Sequence, residues 1–353
     1  MIRSMVCKGS VFLFVLALTG AFFGCATPRI RADVLVPGRF TEPAQLRSVA
    51  VLPFDGPDGA AFGSLLESKL ANVIINDKQY FELVDRKSLD KIMEEMKLSM
   101  TGMVDSGKAV QVGKMIGAKG IYLGTVNVST VSDNPYSEKR ERCESYAEKK
   151  DNRGQTAKEC LKTIETVVAC TKRTVTFTAT PKLVEVETSK IVYSRPLEGA
   201  AADSKCRDSG SPLRDVQEMK RAAQEQAAGQ FRLDVAPYFT TVMISLMDSN
   251  EGIPSKDAGE KLKNGLKFAK GNRLDRGCEI WSEARGAAPK SVSLAYNLGA
   301  CAEAKGGFQQ ALALYREADK LLGKPDTLIA AALARLSDSI EKQRKLDRQM
   351  SSK

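Results

Sequence analysis

Apolar positions change their spacing three times along this chain. Residues 11–18, "VFLFVLAL", form an unbroken apolar run behind a short basic start at Arg3 and Lys8. Residues 26–47 hold three prolines and little periodicity, which predicts an extended tether. From Ser48 the spacing becomes that of alternating strands and helices. "SVAVLPF" (48–54) is a compact apolar strand closed by the turn cluster "DGPDG". Leu66, Leu70, Val73 and Ile74 fall at helical spacing, and 81–84 is a short strand. Leu89, Ile92, Met93 and Met96 occupy i, i+3, i+4 and i+7, one stripe of a helix entered through Asp85 or Ser88. A third helix runs from Ser106 to Ile116 and stops at Gly117; 120–131 then alternates as a strand. "RTVTFTATPKLVEVET" and "KIVYSRPLEG" read as a hairpin turning at 187–190. Residues 215–230 predict an amphipathic helix with Val216, Met219, Ala223 and Ala227 on one side. "TTVMISLM", with Val242, Ile244 and Leu246, suits a closing strand. Residues 48–247 therefore predict a mixed α/β sheet layered with helices.

Beyond a linker at 248–256 the period lengthens. Gly265, Phe268, Gly277, Trp281 and Ala284 find counterparts, at the same offsets one period on, in Gly299, Ala302, Ala311, Tyr315 and Ala318. Small residues let paired helices approach closely, and the aromatic fills the groove between units. This period of about 34 residues resembles the tetratricopeptide signature, which predicts an all-α repeat domain over 257–346, its last helix (326–346) capping the stack. Such repeats offer a groove to a protein partner rather than doing chemistry.

The amino terminus sets the compartment. A basic start, an apolar core too short to span a bilayer and a small residue before Cys25 have the anatomy of an export signal over 1–24. Gly24-Cys25 resembles the end of a lipobox, so Cys25 is the expected lipid attachment residue and 25–47 the lipid-anchored tether. Ala26 after the cysteine points to the outer membrane, periplasmic side. The net charge of +10 falls to +8 once Arg3 and Lys8 are removed. That is modest for this length, and export favours anionic lipid or cell-wall polymer over nucleic acid. Without Cys7 and Cys25, six cysteines remain: Cys143, Cys160, Cys170, Cys206, Cys278 and Cys301. An even set in an oxidising compartment reads as three disulfides. Cys278 and Cys301 lie on adjacent predicted helices and are expected to pair; the other four leave three pairings open. The chain has no histidine, which removes Ser-His and Cys-His catalysis, and no CxxC pair suggests a metal. "GKMIGAKGIYLG" leads from helix into strand, the reverse of a dinucleotide site, and "SGKAV" lacks the P-loop lead. Asp55, Asp58, Asp85 and Glu94 are scattered. No catalytic residue, metal or cofactor is expected.

"VAVLPFDG", "FELVDRKSLDKIMEEMKLSMTG", "AVQVGKMIGAKGIYLGTV" and "PKLVEVETSKIVYS" together resemble, in order and spacing, the CsgG family of curli production assembly/transport lipoproteins. The resemblance covers 48–247 with a gap at 132–172. It implies a fold like the amino-terminal domain of TolB, attachment to the outer membrane and no enzymatic chemistry; the α/β domain is expected to form a homo-oligomer or to dock at the membrane. Related lipoproteins of this fold activate penicillin-binding proteins that synthesise peptidoglycan, so two roles stay open: assembly or transport of secreted material, and activation of a cell-wall synthase. In the curli secretion protein, insertions in this domain form hairpins of a transmembrane barrel. Here "SDNPYSEKRERCESYAEKKDNRGQTAKECLKTIE" carries charge throughout, which predicts a solvated helical excursion pinned by disulfides instead of a membrane wall.

Overall fold

A computed structural model of the chain describes residues 27–85, 91, 94, 106–150 and 156–351. Cys25, the apolar leader and the predicted stripe of Leu89, Ile92, Met93 and Met96 lie outside these residues. The chain divides into two compact units, one holding 33–241 and 337–353, the other holding 242–336 and the segment that ends at residue 32.

The first unit is a mixed α/β layer. Its elements, with the strands that run into the second unit, are β1 (Arg29–Val36), α1 (Thr41–Gln45), β2 (Ser48–Val51), α2 (Gly59–Ala71), β3 (Ile74–Ile75), β4 (Lys78–Gln79), β5 (Glu82–Leu83), α3 (Ser106–Ile116), β6 (Gly120–Lys150), β7 (Thr156–Glu185), β8 (Ile191–Ser194), β9 (Leu197–Cys206), α4 (Val216–Val235) and β10 (Tyr238–Ser245). The main sheet runs β5-β2-β6-β7-β8, and β9 follows β8 along the same edge of β7. β2 is parallel to β5 and β6, while β6, β7, β8 and β9 pair antiparallel. One face of the sheet packs Phe54, Tyr122 and Phe177 against Phe62 and Leu66 of α2 and Met219, Ala223 and Phe231 of α4. The other packs Leu52, Ile121, Leu123 and Val184 against Ala109, Val110 and Val112 of α3. The stripe predicted for α4 is small because the helix lies directly on β9. A Cβ on Gly199 would come within 1.9 Å of the Ala223 carbonyl oxygen. Asp215 starts α4, its side chain accepting from the backbone N–H of Gln217 and Glu218.

Four expectations are corrected. The expected extended tether is part of the folded structure: β1 within it pairs with β10, and α1 makes 41–45 helical. Val73 and Ile74 are not on the helical stripe; α2 ends at Ala71, Val73 is buried beyond its cap, and Ile74 stands exposed in the β3–β4 turn pair. The closing strand β10 pairs with β1 instead of joining the main sheet. The largest correction concerns the excursion, whose described residues 132–150 and 156–172 are strand and not helix. β6 and β7 stay paired from Gly120–Glu185 out to Lys150–Thr156. Glu, Lys and Arg favour helices only weakly. The Thr- and Val-rich return strand, already aligned by the sheet, imposes the extended conformation on its partner. Beyond Cys170 no third strand accompanies the pair among the described residues, so 137–150 and 156–169 form a two-stranded ribbon. At about 3.3 Å per residue it extends roughly 45 Å.

The second unit is helical: α5 (Lys256–Lys270), α6 (Leu274–Ala287), α7 (Val292–Ala304), α8 (Phe308–Leu322) and the first part of α9 (Thr327–Met350). The recurrence of glycine at 265 and 299 has a direct structural cause. A Cβ on Gly265 of α5 would meet the Trp281 indole nitrogen at 2.2 Å, and one on Gly299 of α7 would meet the Tyr315 ring at 2.8 Å. Each first helix thus carries a glycine where the aromatic of its second helix lies against the backbone. Trp281 is fully buried and donates to the Leu262 carbonyl at 3.1 Å. The Asn297 amide pairs with both the N–H and the C=O of Met247 at 2.8 Å, tying the start of the unit to its second helix pair.

Candidate interaction surfaces

Six cysteines form three pairs: Cys143–Cys160, Cys170–Cys206 and Cys278–Cys301. The last joins α6 to α7. The second joins directly opposed residues of β7 and β9 at the root of the ribbon, and the first staples the ribbon further out. At the root, Arg140 gathers three partners: Asp208 at 3.0 Å to both oxygens, Glu138 at 2.8 Å, and the Cys206 sulfur at 3.1 Å. The hydrogen bond from Arg140 holds the Glu138 carboxyl below the usual carboxylate range. Further out, Lys139–Glu165 (2.7 Å), Lys162–Glu144 (2.5 Å) and Lys149–Glu159 (3.2 Å) pair across the strands. Such pairs contribute roughly 0.2–1 kcal/mol each. Tyr146, Leu161 and Val167 are exposed among them.

Glu138, Cys170 and Cys206 are the one trio of ligand-type side chains brought together among the described residues. The two cysteines are bonded to each other, so the trio offers a carboxylate and no thiolate. Of the scattered acids, Asp58 sits at the start of α2 and accepts from Ser129 Oγ at 2.6 Å and Lys220 Nζ at 3.0 Å. The Ser129 bond, with the Lys220 ammonium, holds its carboxyl below the ordinary value. Asp55 forms an isolated bridge opposite Thr125, Asp85 follows β5, and Glu94 is helical.

Two surfaces carry no spacing signal in the sequence. In the helical unit a cavity of about 700 Å³ has α7 as its floor, through Leu298 and the Cys278–Cys301 disulfide. Asp275, Glu279 and Glu283 of α6 line one wall and Leu314 of α8 the other. In the α/β unit, Asp234 near the end of α4 is fully buried. It accepts from Tyr193 Oη at 2.9 Å, Arg195 Nη1 at 2.7 and 2.8 Å, and Arg39 Nη1 at 3.2 Å. Burial and the neighbouring Asp234 charge push the Tyr193 hydroxyl well above its usual range, so it stays a donor. The N–H groups of Arg39 and Phe40 cap the α4 carbonyls of Leu233 and Asp234 at 3.1 and 3.0 Å, which fixes the Arg39 side chain beside the carboxylate. Preceding them, Gly38 exchanges two 2.8 Å bonds with the buried Gln349 amide of α9.

Residues 48–130 match the family model described as Curli production assembly/transport component CsgG. The match is confined to this segment of the α/β unit. The matched segment runs from β2 into β6 and stops just before the charged part of the hairpin. The expected mixed α/β architecture with helices at the carboxyl end is the one observed. Among solved structures, the chain is similar to the LpoB C-terminal domain from Salmonella enterica, with 16% identity over 44% of this chain and 84% of that one and a TM-score of 0.26. It is also similar to the PelC dodecamer from Paraburkholderia phytofirmans, with 13% identity over 59% and 99% of the two chains and a TM-score of 0.23. No curated protein matches the chain.

Proposed function

We propose that the protein is a non-enzymatic lipoprotein of the cell envelope, anchored through Cys25 on the periplasmic side of the outer membrane. Its CsgG domain would act in assembly or transport of secreted material, and its helical unit would recruit a protein partner. The observation that carries the reading is the repeated packing of Gly265 on Trp281 and Gly299 on Tyr315, one period apart, beside a CsgG domain. It favours tetratricopeptide repeats, whose use is protein recognition. The cavity over α7, with apolar floor and one acidic wall, is the partner surface.

The ribbon argues for a soluble role of this element. A lipid-facing hairpin alternates apolar-out over ~10 residues. One face of this ribbon carries Glu138, Arg140 and Arg142 opposite Val168, Thr166 and Ile164; the other carries Lys139 and Glu141 opposite Val167 and Glu165. Neither face is apolar, and each Lys or Arg at mid-bilayer costs roughly 2–4 kcal/mol. Among the described residues no helix is long and apolar enough to cross a membrane.

Co-purification from detergent-solubilised membranes tests the reading. Truncating the repeats would strip Gln349 from Gly38, so the surface is better probed by Leu298→Arg and Leu314→Arg. Expected is a co-purifying secretion or surface-assembly component that both variants lose. A penicillin-binding protein retained by both variants would overturn this reading in favour of the synthase activator.

A further inference from the structure

Two guanidinium groups converge on one buried carboxylate in the α/β unit. Arg39 and Arg195 both reach Oδ1 of Asp234, whose side chain is 0% exposed, whereas theirs are 45% and 36% exposed. The carboxylate therefore faces inward and the outer edges of both guanidiniums face water. One negative charge under two positive ones leaves a surplus of one. Each guanidinium has five N–H donors, and among the described residues neither has another acceptor. Lys345 adds a third cation, its Nζ donating to the Arg39 carbonyl at 2.5 Å. Phe40, half-exposed, leans edge-on against Tyr193 at 5.4 Å, so an aromatic ring borders the cationic group. The cluster is rigid. Arg39 and Phe40 are pinned to α4 by backbone bonds, Arg195 directly follows β8, and Asp234 is locked by Tyr193.

We infer that Arg39, Arg195 and Lys345 form a preorganised cradle for phosphate oxyanions, and that its ligand is the anionic headgroup layer of the membrane to which the chain is tethered. Planar guanidinium forks match phosphate oxygens bidentately. The half-exposed Phe40 ring beside the cations offers an apolar edge to the boundary between headgroups and acyl chains. Arg39 follows Cys25 closely along the chain, so an anchored molecule can lay this surface on lipid. The inference rests on the envelope placement proposed above. Vesicle binding by an anchor-free chain is read independently of membrane fractionation and of partner capture.

The test uses the mature chain with Cys25→Ser and co-sedimentation with vesicles of phosphatidylglycerol in phosphatidylcholine, against phosphatidylcholine alone. Binding to the anionic vesicles only, falling with salt, is expected. Arg39→Gln leaves Asp234 held by Arg195 and Tyr193, so it should stay folded while partition drops about fivefold. Arg39→Lys, which keeps the charge but loses the fork, should bind between the parent and Arg39→Gln, and Arg276→Gln, a surface change in the helical unit, should lose far less than Arg39→Gln. Equal binding to both vesicles, or equal losses for Arg39→Gln and Arg276→Gln, would overturn the cradle. Calorimetric binding of inorganic phosphate without vesicle binding would overturn the lipid assignment.

Discussion

Arg335→Ala is the most informative change in the helical unit. Glu303 lies in α7 with 2% of its surface exposed. Its carboxylate accepts from Tyr315 Oη at 2.7 Å and from Arg335 Nε and Nη2 at 2.6 and 2.9 Å. Removing the arginine leaves a buried charge with one neutral donor, and such a loss costs roughly 3–5 kcal/mol. A unit of this size has an m-value of about 1–3 kcal/mol per molar urea, so its unfolding midpoint should fall by roughly 2 M. The assay is selective because the chain has one tryptophan, Trp281, fully buried in this unit. Its fluorescence reports α5–α8 without contribution from the α/β unit. The double change Glu303→Leu with Arg335→Leu removes both charges and should cost less than Arg335→Ala alone, since the penalty lies in the orphaned carboxylate. A midpoint unchanged from the parent for Arg335→Ala would refute the reasoning. So would a double variant weaker than the single one.

Four further outcomes are expected. Cys25→Ser should move the protein from the membrane to the soluble fraction of cells. Alkylation of unfolded, unreduced mature protein, read by mass spectrometry, should label none of the six paired cysteines. The Asp58 carboxyl is held low in the folded state, so the unfolded chain takes up its proton first as pH falls. The stability it contributes is present above the ordinary carboxylate value and lost as pH falls through the folded one, and Asp58→Asn should flatten that part of the acid denaturation profile. The purified protein in planar bilayers should give no stable conductance, because neither ribbon face is apolar; reproducible channels would reverse the reading of the hairpin.

What the sequence made legible was periodic burial. Leu66 and Leu70 of α2 and Met219, Ala223 and Ala227 of α4 announce their buried faces by spacing, because a helix on a sheet hides one stripe. Gly265 and Gly299 were readable for the same reason, as each is a contact forced by the aromatic of the helix that follows. The ribbon was not readable. With both faces in water, "EKRERCESYAEKK" has no alternation to display, and its strand state comes from a partner strand across the hairpin. β9 escaped because Gly, Ala, Asp, Ser and Lys are poor strand formers; its pairing with β7 and its cover by α4 override propensity. The Asp234 group was hidden for a third reason: Arg39, Tyr193, Arg195 and Asp234 come from three separate parts of the chain, and no local spacing links them.

The two buried carboxylates show how the same local chemistry serves different ends. Glu303 and Asp234 each accept a tyrosine hydroxyl and an arginine, the arrangement that makes a desolvated charge tolerable. At Glu303 the charges balance, one carboxylate to one guanidinium, and nothing is left over to attract a ligand. Its role is to lock α7 against α8 and α9. At Asp234 a second arginine shares the same oxygen, although Arg195 and Tyr193 already satisfy the carboxylate. For stability alone Arg39 is redundant, since an exposed ion-pair partner contributes little. Its backbone is nevertheless held rigidly on the α4 terminus, with its free donors turned to water. A cation that adds little to the fold and is fixed in place with unused donors has the properties of a binding residue, and the position of its net charge identifies the ligand as an anion.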